Sequence, residues 1–343
     1  MRPSSRFIQL LFTIVTLVGL TAGARSADPG DPAQFSSSIS DQKPGAILFY
    51  NLYSSSVTTP RVHDTRVNIT NTWSLLGIFV HLFFVDGETC GVADAYICLT
   101  RNQTASFLAS DLDPGVTGFL IAVTTNSTGC PLGLNFLIGD AYVKLPTGHA
   151  ANLAAEAVAA QFIIFDDCDP NSVTATLFFD QAGIGDCYNQ LPRVLAVDNI
   201  PSRADGNDTL LVVNRIGGDL TTGASPLQAV FGILYDDAEN AASFTFTTNR
   251  CQLITSISDS FPRTAPRFDK LVPSGHSGWM KIWAGAENVA ILGSVINFNP
   301  NAGTERNAYN GGHNLHKLRL NGFGAGTSAA PNITIPVFPS SCF

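Results

Sequence analysis

Charge is scarce in this chain. Asp, Glu, Lys and Arg make up 13% of its 343 residues, about half the usual share for a soluble domain. The surface must then be built from Ser, Thr, Asn, Gln and Gly, an extracellular style of surface or one partly covered by neighbours. Basic clusters are missing as well: 19 Lys and Arg stand against 27 Asp and Glu, for a formal net charge of −8. Without a basic patch to neutralise phosphates, nucleic acid is not an expected partner, and anionic membrane surfaces are disfavoured for the same reason. No C-x-x-C pair occurs and no Cys stands at ligand spacing from a His, which argues against a thiolate metal site. Phosphate-binding Gly loops, thiol–His pairs and nucleotide fingerprints are absent. Beyond residue 20, no segment has the length and freedom from charge of a membrane helix.

What is present begins with an export pattern. Arg2 and Arg6 precede an apolar run from Phe7 to Leu20, and Ala22-Gly23-Ala24 supplies small residues for a signal peptidase. Residues 1–24 are therefore read as a signal peptide, and the mature protein as secreted, extracellular or held in the cell envelope. The seven cysteines all follow this segment, so disulfides are expected in an oxidising compartment. Their pairing is not fixed by sequence; Cys90 with Cys98 and Cys168 with Cys187 are the local options.

Residues 25–43, rich in Asp, Pro, Gly and Ser, read as a flexible lead-in. From Gly45 onward, short apolar runs alternate with turn signals, a β pattern. Among them are Ala46 to Leu52, Ile78 to Val85, Phe119 to Val123, Leu210 to Val213, Phe231 to Tyr235 and Trp279 to Trp283. Many are apolar throughout and should be covered on both faces. Ser243 to Thr247 alternates and should have one wet face. The Ala-rich stretch from Ala150 to Phe162 reads as a short helix. Order recurs along the chain: Leu82 to Glu88 resembles Ile233 to Glu239, Pro114 to Val123 resembles Pro273 to Trp283, and Gly148-His149 resembles Gly312-His313. The expected fold is all-β, with two tandem related β-sandwich modules (Ig-like or jelly-roll-like) over 44–166 and 167–343 and one short helix between them. One pseudo-symmetric domain is the alternative.

Candidate chemistry is thin. Gly275-His276-Ser277-Gly278 lacks the fifth glycine and the following helix of a nucleophile elbow, and reads as a turn. Asp86 and Glu88 in one half, with Asp236 and Glu239 in the other, are closely spaced carboxylates that suit calcium or a glycoside-hydrolase pair, although solvated turn acids are the simpler reading. Asp205 to Asp208 reads as a turn first and an ion site second. His149 and His313, with His316 nearby, suggest structural roles before metal or catalytic ones. Five Asn-x-Ser/Thr sites occur, at Asn68, Asn102, Asn126, Asn207 and Asn332. Trp73, Trp279 and Trp283 could stack on sugars if exposed. The sequence thus points to an exported, non-catalytic β-sandwich protein with a structural or binding role, through self-assembly or a glycan ligand. A carbohydrate-binding or adhesive module and a carbohydrate-acting hydrolase are the alternatives.

Overall fold

Ile47, Leu48, Phe49, Tyr50 and Leu52 follow one another along a single strand, and all are buried. Such a strand needs cover on both faces, and the chain supplies it. The computed structural model describes residues 39–60, 62–161, 168–169, 172–179, 188–286, 288–318 and 328–340. The expected signal peptide, most of the lead-in, Cys187 and Cys342 lie outside them. Among the described residues the fold is all-β and sandwich-like, with two short helices, α1 (Ala109–Leu112) and α2 (Phe268–Leu271).

Nine strands come first: β1 (Ile47–Ser54), β2 (Thr65–Asn71), β3 (Ile78–Asp86), β4 (Val92–Leu99), β5 (Thr104–Leu108), β6 (Thr117–Thr125), β7 (Leu137–Lys144), β8 (Ala150–Ala154) and β9 (Glu156–Val158). They form a five-stranded sheet, β4-β3-β6-β1-β9, and a four-stranded sheet, β5-β2-β7-β8. After β10 (Thr174–Phe178) and β11 (Leu191–Pro192) come β12 (Val194–Pro201), β13 (Asp208–Ile216), β14 (Gly218–Asp219), β15 (Gly223–Ala224), β16 (Gln228–Asp236) and β17 (Ala241–Thr248). Then follow β18 (Gln252–Ser256), β19 (Ser277–Ala284), β20 (Ala290–Phe298), β21 (Gly311–Asn314) and β22 (His316–Lys317). These give sheets in the orders β17-β16-β19-β12-β22 and β18-β13-β20-β21. Written with β12 in place of β1 and β13 in place of β2, and so on through the pairs, they follow the same order as the first two. The last strands, β23 (Ser328–Ala329) and β24 (Asn332–Pro336), return to pair with β11 and β10.

Three apolar cores explain the fully apolar runs. Leu48, Tyr50 and Leu52 enter a first core with Val67, Ile69 and Val143. The alternate residues Ile47 and Phe49 enter a second, with Phe83, Ile121, Leu177 and Ile333. β13 is likewise shared: Leu210 and Val212 join the first core, while Leu211 and Val213 join a third with Leu234, Met280 and Ile291. β17 has the expected wet face, with Ala242 and Phe244 buried and Ser243 and Thr245 exposed.

Three expectations are corrected. The helix read over 150–162 is instead β8 and β9, so no helix lies between the halves there. β8 pairs with β7 from Lys144 opposite Ala150 to Asp140 opposite Ala154, and β9 pairs with β1. Alanine's helix propensity is a weak preference that strand pairing overrides. The small side chains serve a close approach: a Cβ added at Gly312 on β21 would stand 3.0 Å from that of Ala151. The two local disulfides are also not formed. Cys90 is bonded to Cys251 and Cys130 to Cys168, and Cys98 is disulfide-bonded as well. Finally, the end of the lead-in is tied to the core, since Ile39 is buried and Ser40 exchanges backbone hydrogen bonds with Ala157 at 3.0 and 2.7 Å.

Where the halves meet, a polar cluster is buried. It centres on Asn51, whose Nδ2 donates to Glu156 Oε1, the Gly293 carbonyl and Asn314 Oδ1 at 2.9 to 3.0 Å. Asn214 and Gln252 donate to the Asn51 carbonyl at 2.8 and 3.1 Å. Glu156 is fully buried, and Lys317 Nζ stands 2.7 Å from its second oxygen. Burial pushes the Glu156 carboxyl above its ordinary range, with Lys317 and Asn51 pulling the other way.

Candidate ligand face

Period-two alternation on two neighbouring strands builds the most distinctive exposed surface. β16 and β19 pair with Phe231 opposite Trp283, Ile233 opposite Lys281 and Tyr235 opposite Trp279. Opposed residues share a face. The residues between them, Leu234, Met280 and Ile282, lie in the third core, so the aromatic set points outward. The Tyr235 and Trp279 rings stack at 4.5 Å with planes 8° apart, and Phe231 and Trp283 stack at 6.3 Å and 22°. Lys281 Nζ stands 6.0 Å over the Trp283 ring. Trp279 and Phe231 are 38% and 41% exposed. Ser243 and Thr245 of β17, opposite Ile233 and Phe231, add exposed hydroxyls alongside.

The first sheet has a face in the corresponding place, with a different fate. Asp86 stands opposite Gly118 there, as Asp236 stands opposite Gly278. Counting back from these pairs, Phe119, Val123 and Val85 take the places of Trp279, Trp283 and Tyr235. All three are buried, sharing the second core with Leu177 of β10 and with Ile333 and Ile335 of β24. Sheet β10-β24-β14-β15 thus covers the first face, while the aromatic ladder of the second stays exposed.

At one edge of the exposed face lies a second cluster. β12 shifts register against β19 between Val197 and Ile200, and Asn199 has a positive φ of 46°. Such a bulge re-aims side chains, here that of Asp198. Its Oδ1 stands 3.2 Å from His313 Nε2 and 3.3 Å from His316 Nε2. Asp198, His313 and His316 are the one group of three such ligands gathered closely enough to hold a metal ion among the described residues. His316 lies opposite Ala196, which is itself opposite Lys281, so it shares the aromatic face.

The sequence-derived candidates fall elsewhere. Asp86 caps its own turn, accepting from the Glu88 amide at 2.9 Å and the Thr89 hydroxyl at 2.5 Å. Asp236 does the same with the amides of Ala238 and Asn240 and with Asn240 Nδ2. The Asn240 side-chain bond is the main reason its carboxyl is held below the usual range. Glu88 pairs with Arg250 at 2.9 Å, and Glu239 is an exposed turn residue with φ of 67°. Asp205 ends a 3-10 turn and accepts from Ser274 and the Gly275 amide. Ser277 opens β19 directly after a turn closed by the His276 amide on the Pro273 carbonyl. His149 is buried between Thr147 and the Asp208 carbonyl, a structural role. Its expected match with His313 does not hold: the amides of Ala155 and Leu315 bond the Gly139 and Gly293 carbonyls, which puts Leu153 in the place of His313. Trp73 stacks on Phe136 at 4.6 Å, partly buried, away from the ladder. Asn207 is buried among Ser202, Asn297 and Asn307 and is closed to a glycan. Asp198 was not picked out by sequence reading, because only the bulge gives it a role.

Compared with known protein families, curated proteins and solved structures, the chain matches none.

Proposed function

We propose that this is an exported, non-catalytic binding protein made of two related β-sandwich modules, 44–166 and 167–343, and that its ligand is a carbohydrate held on the outer face of β16 and β19. One observation carries the reading: two cross-strand aromatic stacks lie exposed on a sheet face whose counterpart in the other half is buried beneath a covering sheet. Exposed Trp279 and half-buried Tyr235 and Trp283, beside hydroxyl and charged side chains, suit a ligand that is apolar on its ring face and polar at its rim. Sugars have that character. The common strand order of the two halves supports the modular division. The disulfides and the low charge support an extracellular setting.

A glycan array probed with the purified mature protein tests this. Binding to at least one glycan is expected. Trp279→Ala should weaken it about 30-fold, the ~2 kcal/mol of a central aromatic contact, while Trp73→Ala should leave it unchanged. A blank array, or equal binding by Trp279→Ala, rules the reading out. If instead the protein is dimeric on a sizing column and Trp279→Ala makes it monomeric, the face is covered by a second copy and the carbohydrate reading fails.

A further inference from the structure

We propose that Asp198, His313 and His316 form a binding site for one divalent transition-metal ion of the zinc class. The proposal stands apart from the carbohydrate reading and would survive its failure.

Topology brings the three together. β21 ends one sheet of the second sandwich and β22 begins the edge of the other, and the chain crosses between them at Leu315, whose amide bonds the Gly293 carbonyl at 2.9 Å. His313 and His316 therefore flank a sheet-to-sheet corner, and the bulge in β12 turns Asp198 toward it. The next residue, Asn314, is pinned by Asn51 and by the Ala154 carbonyl at 2.7 Å, which fixes the corner.

The donor chemistry then points to a cation. His313 Nδ1 lies 2.9 Å from the Asn314 carbonyl. A carbonyl only accepts, so His313 donates from Nδ1, and Nε2 is the nitrogen left facing Asp198. Fixing the tautomer through the outer nitrogen is how proteins prepare an imidazole ligand. Asp198 Oδ1 is itself shielded from solvent and accepts no hydrogen bond. The two imidazole nitrogens at 3.2 and 3.3 Å therefore converge on it without hydrogen-bond geometry. In a tetrahedral site with metal–ligand bonds of about 2.0–2.1 Å, neighbouring ligand atoms stand about 3.3 Å apart. Two imidazoles and one carboxylate suit zinc and its neighbours rather than calcium or magnesium, which want oxygen alone. Three protein ligands leave a position open on the exposed side.

The first half shows the same position closed. Its bulge residue is Asn51, and the residue in the place of His316 is Glu156, opposite Phe49 as His316 is opposite Ala196. There the pair is a fully buried hydrogen bond.

Zinc and cobalt(II) titrations of the purified metal-free protein test the site, with zinc read by competition against a chromogenic chelator and cobalt by its visible absorption. One ion per chain is expected, with the intense cobalt bands of a four-coordinate site. His313→Ala, His316→Ala and the isosteric Asp198→Asn should each weaken zinc binding more than about tenfold. His276→Ala, an exposed histidine outside the cluster, should not. Circular dichroism confirms that each variant is folded. Failure of the protein to take up zinc at micromolar concentration, or full retention of zinc by the His313→Ala/His316→Ala double variant, overturns the proposal.

Discussion

Replacing Cys90 with Ser and Cys251 with Ala together is expected to lower the unfolding free energy by about 4 kcal/mol. The bond joins residues 161 apart in sequence, and the chain entropy that such a long crosslink removes from the unfolded state is worth about 4–5 kcal/mol in the loop-closure account. The link is also well placed. Cys90 sits in the turn after β3, and Cys251 is buried immediately before β18. Around it, the Gln252 amide bonds the Gly87 carbonyl at 3.1 Å and the Ala224 amide bonds the Cys90 carbonyl at 2.9 Å. The bond therefore staples the two halves beside the Asn51 cluster. Guanidinium unfolding under oxidising conditions measures the effect. A change below about 1 kcal/mol would mean that packing alone holds the halves together.

Lys317→Met should be the most damaging single substitution at the junction between the halves. It leaves Glu156, fully buried, without its counter-charge, and removing one partner of a buried pair costs about 3 kcal/mol or more. The effect should depend on pH in a definite direction. Burial already raises the Glu156 carboxyl above its ordinary value of 4.5, and loss of Lys317 raises it further. A carboxyl with a raised folded pKa is least costly when protonated. Its penalty is absent below about 4.5, grows as pH rises from there to the raised folded pKa, and is constant above it. Lys317→Met should thus lie closest to the wild type near pH 4.5 and furthest below it near pH 8. Adding Glu156→Gln should restore most of the loss. A gap that is the same at both pH values would place the cost in lost packing of the lysine stem instead.

Much of the fold was legible because strand period and burial coincide. Runs such as Leu210 to Val213 had to be covered on both faces, and the cores on either side of β13 do so. Ser243 to Thr247 announced a wet face by simple alternation. The strand orders of the two halves agree, but the motif matches read from the sequence slip locally. The turn after Asp236 is closed by Asn240, whereas that after Asp86 runs on to Gly91, so the acidic residues do not align one for one. Local composition failed at Ala150 to Val158, where small residues mark a close approach of two sheets rather than a helix. The disulfides could not be read because both described bonds join segments distant in sequence.

The candidate site was legible only in part. Trp279 and Trp283 were visible, but their exposure depends on which face the β10-β24 sheet covers, and that sheet pairs strands more than 150 residues apart, Thr174–Phe178 with Asn332–Pro336. Asp198 gains its place from a one-residue register shift, which leaves no mark in composition. His313 and His316 are close in sequence, yet it is the sheet-to-sheet crossing at Leu315 that aims both at one oxygen.

The central claim, a ligand face on β16 and β19, is tested most directly by hydrogen–deuterium exchange with and without the best-binding glycan. Protection confined to Gln228–Asp236 and Ser277–Ala284, with their close neighbours on β12 and β17, is the predicted result. Protection centred on the turns at Asp86 and Asp236, or on the sheets formed by β1 to β9, would contradict it.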